Sequence, residues 1–206
     1  MDDFFATLTP WWPPGREDLH WHLLPDPDRL ATQLIAPYRE LTHRPGLAPV
    51  EPRWCHITVQ DIAPAAAVTP AELDSIVTRV GRACAAVAPG ELTIGPPEVS
   101  RHGVVCPVIP PGWVRTLWRL TVAAGQEVTG GRFPVRPAEY HPHLSLAYGV
   151  DGTGGGPLQD WLAAHPARAT TFTATHLALV AQSHDGARAI TWRPLATVPL
   201  TGSGSG

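Results

Sequence analysis

Apolar and polar positions alternate most cleanly over residues 140–149. Leu144 and Leu146, with Tyr148 more loosely in line, interleave with His143, Ser145 and Ala147. A strand alternates its faces with period two. The stretch therefore predicts a β-strand with the leucines facing a core. His143 and Ser145 share the other face, about 7 Å apart. Residues 53–60 repeat the pattern: His56 and Thr58 share one face, Ile57 and Val59 the other. The chain thus holds two His-x-Thr/Ser units on strands, at 56–58 and 143–145. Pro70 and Pro157 stand at the same offset beyond His56 and His143, and each opens a helical pattern. Two related halves, each of strand, loop and helix, are the expectation.

The remaining pattern fills in around these units. Residues 1–17 are rich in Pro and Trp and read as an irregular N-terminal segment. Residues 18–24 predict a strand ended by Pro25, and Asp26 with Pro27 predicts a helix start. Leu30, Leu34, Tyr38 and Leu41 follow at helical spacing, with Pro37 dividing the helix. Thr69-Pro70-Ala71-Glu72 is a capping box. Behind it Leu73, Ile76, Val77, Val80, Cys84 and Val87 form a helical stripe closed by Pro89-Gly90. Residues 91–95 and 104–109 predict short strands, and Trp113, Leu117, Leu120 and Ala124 a third helix. Residues 158–164 predict a fourth helix. Residues 170–181 and 189–200 predict two strands joined by a turn at 183–186. Nothing between the halves reads as a linker, so residues 18–200 are expected to form a single domain. Residues 201–206 are expected to be a flexible tail or linker.

Composition narrows the function classes. A net charge of −3, with no block of like charges, argues against a long nucleic-acid footprint, which needs a basic patch. All 15 basic residues are arginine. Cys55, Cys84 and Cys106 are odd in number and widely spaced, which fits neither a disulfide framework nor a metal site. A reducing, cytoplasmic setting and a monomer are expected. The acidic start offers no signal peptide. No apolar run approaches the ~20 residues of a membrane span.

Chemistry gives the paired motifs a purpose. An imidazole gives or takes a proton near neutral pH. Two of them on opposite sides of one phosphate suit in-line displacement, one as base on the incoming oxygen and one as acid to the leaving oxygen. A hydroxyl two residues along each strand can donate to a non-bridging phosphate oxygen and offset charge in the transition state. Zinc is the competing use of paired histidines. It needs three or four protein ligands. His141 shares a face with His143, but no Cys or acidic residue stands at a supporting spacing, so neither metal nor cofactor is expected.

The two motifs, His56-Ile57-Thr58-Val59 and His143-Leu144-Ser145-Leu146, resemble the two-histidine phosphoesterase superfamily. That group includes bacterial 2′-5′ RNA ligase-like proteins and 2′,3′-cyclic nucleotide phosphodiesterases. Pro142 and the strand–helix order match as well, and the similarity runs over residues 18–200. The resemblance implies a bilobed α+β fold with pseudo-two-fold symmetry. Two antiparallel sheets would face each other across a cleft, with helices outside. It implies His56 and His143 as the acid/base pair, and Thr58 and Ser145 as phosphate-binding hydroxyls. Tyr148 stands where many bacterial members are expected to carry arginine. It reads either as a pocket residue or as an ordinary strand-end aromatic. His22, with His20 on the same face, is a candidate for substrate contact or a packed residue. Arg53, Arg101 and Arg136 either add positive charge at the cleft or are surface arginines. His102, His165, His176 and His184 carry no assigned role.

The implied activity is that of a metal-independent phosphoesterase opening a cyclic 2′,3′-type or a 2′-5′ phosphodiester. Its substrate would be a nucleotide or a short RNA end. An RNA 2′-5′ ligase or end-processing enzyme is the alternative in the same chemistry. A non-catalytic nucleotide-binding module is the alternative from another class.

Overall fold

The computed structural model describes residues 1–135, 140–152 and 154–202. The N-terminal segment departs from its expected irregularity. Asp3 caps a short helix, α1 (Phe4–Leu8), its carboxylate accepting from the Ala6 N–H. Phe5, Leu8 and Trp12 are buried. Their side chains recur at roughly helical spacing, and burying them outweighs the nearby prolines.

β1 (Asp18–Leu23) follows. Asp26 caps α2 (Pro27–Leu30), accepting from the N–H groups of Asp28 and Arg29. The helical path then widens into a π turn (Ala31–Ile35) and tightens into a 3-10 turn (Ala36–Tyr38), before α3 (Arg39–Thr42). Pro37 has no N–H to donate, and the chain divides there. β2 (Leu47–Pro49) and a 3-10 turn (Pro52–Trp54) lead into β3 (Ile57–Pro64). α4 (Pro70–Cys84) opens on the expected capping box, with Thr69 and Glu72 satisfying each other's backbone N–H groups.

β4 (Gly90–Ile94), β5 (Glu98–Ser100), β6 (Gly103–Ile109) and α5 (Pro111–Thr129) complete the middle of the chain. β7 (His143–Gly149), α6 (Gly156–Ala163), β8 (Thr170–Ala174), β9 (His176–His184) and β10 (Ile190–Pro199) end it. The strand expected over residues 170–181 is two strands, parted at Thr175 and placed in different sheets. Thr201 and Gly202, expected in the tail, bond to the carbonyls of Ala85 and Val87. Residues 203–206 lie outside the described residues.

All pairings are antiparallel. One sheet has the order β10-β9-β1-β3; the other has β2-β7-β6-β4-β8, with β5 on β6. Each sheet carries one His-x-Thr/Ser unit, on β3 and β7. These two strands approach within 8 Å Cα to Cα where the sheets meet. One hydrophobic cluster, from Phe5 to Leu200, joins the sheets to the helices.

The architecture is the expected bilobed α+β fold. Both motif strands are bulged just past the hydroxyl residue. Val59 is skipped in the β1–β3 register, which passes from Trp21↔Gln60 to His22↔Thr58. Leu146 is skipped between Val104↔Ala147 and Val105↔Ser145. A bulge bends a strand and re-aims the side chains beyond it. At Gly103, φ is +152° and a Cβ would stand 2.1 Å from the Ala147 carbonyl oxygen. Only glycine lets β6 lie this close to β7.

Candidate active site

A cleft of about 990 Å³ opens between the sheets, lined by His56, Thr58, His143 and Ser145 together with His141, Arg115 and Tyr148. The expected parity of both motifs holds. Ile57, Val59, Leu144 and Leu146 are buried in the core, while Thr58 and Ser145 reach the cleft half-buried.

The two imidazoles are fixed by one local device. His56 Nδ1 donates to the Trp54 carbonyl at 2.7 Å, and His143 Nδ1 donates to the His141 carbonyl at 2.8 Å. A carbonyl only accepts, so Nδ1 carries the proton in both rings. That leaves Nε2 of each ring for the cleft. The 3-10 turn at Pro52–Trp54 delivers the first carbonyl, and His141-Pro142 supplies the second.

The environments differ. His143 is exposed and His56 half-buried. The His22 ring stacks on His56, with centroids 4.1 Å apart and planes 16° from parallel. Desolvation pushes the His56 pKa down to about 4, against the raising effect of its bond to Trp54. The positive charges that His20 and His143 take on when protonated lower it further. His56 is therefore neutral at pH 7 and ready to accept a proton.

Tyr140 ties the motifs together. Its hydroxyl donates to the Thr58 carbonyl at 2.6 Å, from just before β7. Trp118 of α5 stacks on its ring, and Arg115 Nε donates to its carbonyl at 3.3 Å.

The other candidates fall into place around this centre. Tyr148 is buried, with its ring stacked on Phe4 (centroids 4.7 Å apart, planes 7° from parallel) and edge-on to Phe5. The bulge at Leu146 turns it to the cleft side, which it lines together with Ser145. Its ring is packed as a strand-end aromatic would be, and the residue also lines the cleft. His22 is 0% exposed. It lies across the β1–β3 ladder from Thr58 and beneath His56. Of the two readings of His22, substrate contact or packed residue, the position is that of a packed residue, since His56 covers it. His20, one step along the same face, does line the cleft.

His102 lines the cleft beside Phe4. Its neighbour Arg101 also lines it and pairs with Asp2 at 2.6 Å. Arg53 pairs with Glu51 at the surface, and Arg136 lies outside the described residues. Cys55 is core, as its parity predicts, and burial pushes its thiol up to about 12. Sequence reading missed Tyr140, Arg115 and the cleft-lining residues of α1. Among the described residues, no three His, Cys, Asp or Glu side chains group as metal ligands, and no helix is long and apolar enough to cross a membrane.

Two antiparallel sheets with one histidine unit from each, facing one cleft, define a two-histidine phosphoesterase. The comparisons agree. The family model described as the 2′-5′ RNA ligase superfamily matches residues 26–186, and the chain belongs to that superfamily of phosphoesterase- and ligase-type enzymes. No curated protein sequence matches the chain. Among solved structures, TT0787 of Thermus thermophilus is similar, with 18% identity and a TM-score of 0.68 over 91% of this chain and 100% of that one. E. coli LigT, solved with 3′-AMP, has 16% identity and a TM-score of 0.67 over 90% of this chain and 99% of LigT. At such identity the likeness is one of fold.

Proposed function

We propose that the protein opens a cyclic 2′,3′-type or a 2′-5′ phosphodiester on a nucleotide or short RNA end, with residues 18–200 as its catalytic unit. The observation that carries this is the mirrored pair. Two imidazoles, each held through Nδ1 by the carbonyl two residues earlier, turn Nε2 toward one cleft, with a hydroxyl beside each.

In the hydrolytic direction, neutral His56 Nε2 takes a proton from the incoming water as its oxygen bonds to phosphorus. The phosphorus bond to the leaving ribose oxygen breaks, and protonated His143 gives that oxygen a proton. Thr58 and Ser145 donate to the non-bridging oxygens, where charge grows. Net charge and the ion pairing of Arg101 with Asp2 favour a small substrate over long RNA. LigT, crystallised with 3′-AMP, supports a nucleotide in this fold.

The test is turnover of 2′,3′-cyclic nucleotides and 2′-5′ dinucleotides in EDTA. The four side chains supply the acid, base and donors, so activity is expected to persist. Loss of turnover in EDTA, restored by a divalent metal, overturns the mechanism. Failure to cleave either substrate, with tight nucleotide binding, turns the protein into a binding module. Joining of 2′-5′ RNA ends without hydrolysis makes it a ligase.

A further inference from the structure

The two motif histidines share one lock but not one setting. Each Nδ1 donates to the carbonyl two residues earlier. That bond fixes the tautomer, yet it is a single contact about which the ring plane can still tilt. His143 stands exposed. Of the two, among the described residues, His56 alone has an aromatic ring against it.

That ring is His22, stacked at 4.1 Å and 16° from parallel. It is itself held on its other sides. His20 meets it at 5.8 Å and 60°, and Trp192 of β10 at 6.1 Å and 83°. Trp192 also packs edge-on to the Trp54 indole, with centroids 5.5 Å apart and planes at 82°. The Trp54 carbonyl is the group that holds His56 Nδ1. The contacts therefore close on themselves. They run from the His56 ring N–H to Trp54, from Trp54 to Trp192, from Trp192 to His22, and from His22 back to the face of His56. β1, β10 and the 3-10 turn before β3 all contribute to the setting of one imidazole. His22, Trp192 and Trp54 do not line the cleft, so their effect on a substrate must pass through His56. Burial keeps the His22 ring neutral, so it sets no charge against the proton that His56 takes up.

We infer that His22 is a positioning residue: stacked beneath His56 and propped by Trp192, it sets the plane of the His56 ring and keeps Nε2 on the line of proton transfer. The inference rests on the phosphoesterase reading of the histidine pair. Aromatic rings prefer particular mutual orientations. A flat ring laid on a flat ring resists the tilt that the Nδ1 bond leaves free. An aliphatic side chain in the same place fills the space without setting the plane. The brace is one-sided, so it makes the two histidines unequal. His56 is held rigid to receive a proton, while exposed His143 keeps the freedom to follow the leaving oxygen.

Turnover of a 2′,3′-cyclic nucleotide and imidazole NMR, both on the full chain, test this together. His22→Leu removes the flat face and keeps an apolar residue in its place. It should lower kcat roughly 10- to 100-fold, the cost of a misplaced catalytic group, with KM unchanged and cooperative melting retained. The sharp downfield signal of the His56 Nδ1 proton should broaden or vanish. His22→Phe restores a flat ring and should recover most of kcat and the signal. Trp192→Leu leaves His22 in place but takes away its prop, and should cause a loss of the same kind. The brace is refuted if His22→Leu keeps native kcat and signal, or if it raises KM in place of lowering kcat. It is also refuted if folded His22→Phe is as slow as His22→Leu, or if Trp192→Leu changes neither kcat nor the signal. If the native protein turns over no nucleotide, the phosphoesterase reading fails and the Nδ1 signal alone decides. Its loss in His22→Leu and return in His22→Phe then support the brace, and its persistence in His22→Leu refutes it.

Discussion

Acid should destabilise this protein well before its carboxylates protonate, and the cause is histidine burial under the cleft. His20 is the clearest case. Two effects compete on its ring. Asp61 at 3.9 Å and Asp18 on the same strand favour the imidazolium. Burial favours the neutral form, since the side chain is only 7% exposed. Burial wins, because Asp61 is too distant to hydrogen-bond and Asp18 is engaged by Arg16 at 2.7 Å.

The folded pKa is thus about 4, against an ordinary value of 6.5. Below pH 6.5 the unfolded chain binds a proton that the fold excludes. The contribution is therefore intact above pH 6.5 and is lost as pH falls toward 4. The full shift corresponds to about 3 kcal/mol, and roughly 2 kcal/mol of it goes between pH 7 and pH 5. His22, fully buried and also held well below its ordinary pKa by desolvation, adds a loss of the same sign. Urea unfolding at several pH values measures this through the stability extrapolated to water. His20→Leu should flatten the profile between pH 7 and pH 5 by that same amount, and His22→Leu should flatten it further. If His20→Leu leaves the pH dependence unchanged, the ring is already charged in the fold and the burial argument is wrong.

Three more outcomes concern catalysis and one concerns the fold. His56→Ala and His143→Ala should each cost roughly 10²–10⁴-fold in kcat, with the double variant losing less than the product and thermal melts little changed. The acid limb of kcat/KM on a 2′,3′-cyclic nucleotide should fall near pH 4, where His56 protonates; a limb at the ordinary histidine value would remove His56 as the base. Tyr148→Phe keeps the stack on Phe4 but removes a hydroxyl from the cleft that Ser145 also lines. It should lower kcat/KM by roughly 2- to 10-fold, the worth of one hydrogen bond, whereas unchanged kinetics would make Tyr148 a packing residue only. Gly103→Ala forces a Cβ onto the Ala147 carbonyl at a positive φ and should cost roughly 2–6 kcal/mol by chemical denaturation.

What the sequence shows of this site depends on the distance over which each feature is decided. The His-x-Thr/Ser units are legible because parity on a strand is a property of adjacent residues, and parity alone places Thr58 and Ser145 beside their histidines. The bulges at Val59 and Leu146 leave no such mark, since an apolar residue is skipped in an apolar row. Without them Tyr148 is assigned to the core and its place in the cleft lining is invisible. His22 was legible as to face but not as to depth, because the ring that covers it comes from His56 on a different strand. Residues 170–181 read as one strand because no glycine or proline marks Thr175, where the chain changes sheets.

The N-terminal segment is the instructive miss. Phe4, Leu8 and Trp12 recur at every fourth position, a helical signal obscured by Pro10, Pro13 and Pro14. Even with the helix recognised, its place over Tyr148 and His184 depends on contacts with the far end of the chain, which no local pattern encodes. Proton transfer needs only groups that neighbouring residues position, so it can be read from a motif. The choice of substrate rests on what the rest of the chain lays across the cleft, so two chains with the same four motif residues can differ in what they bind.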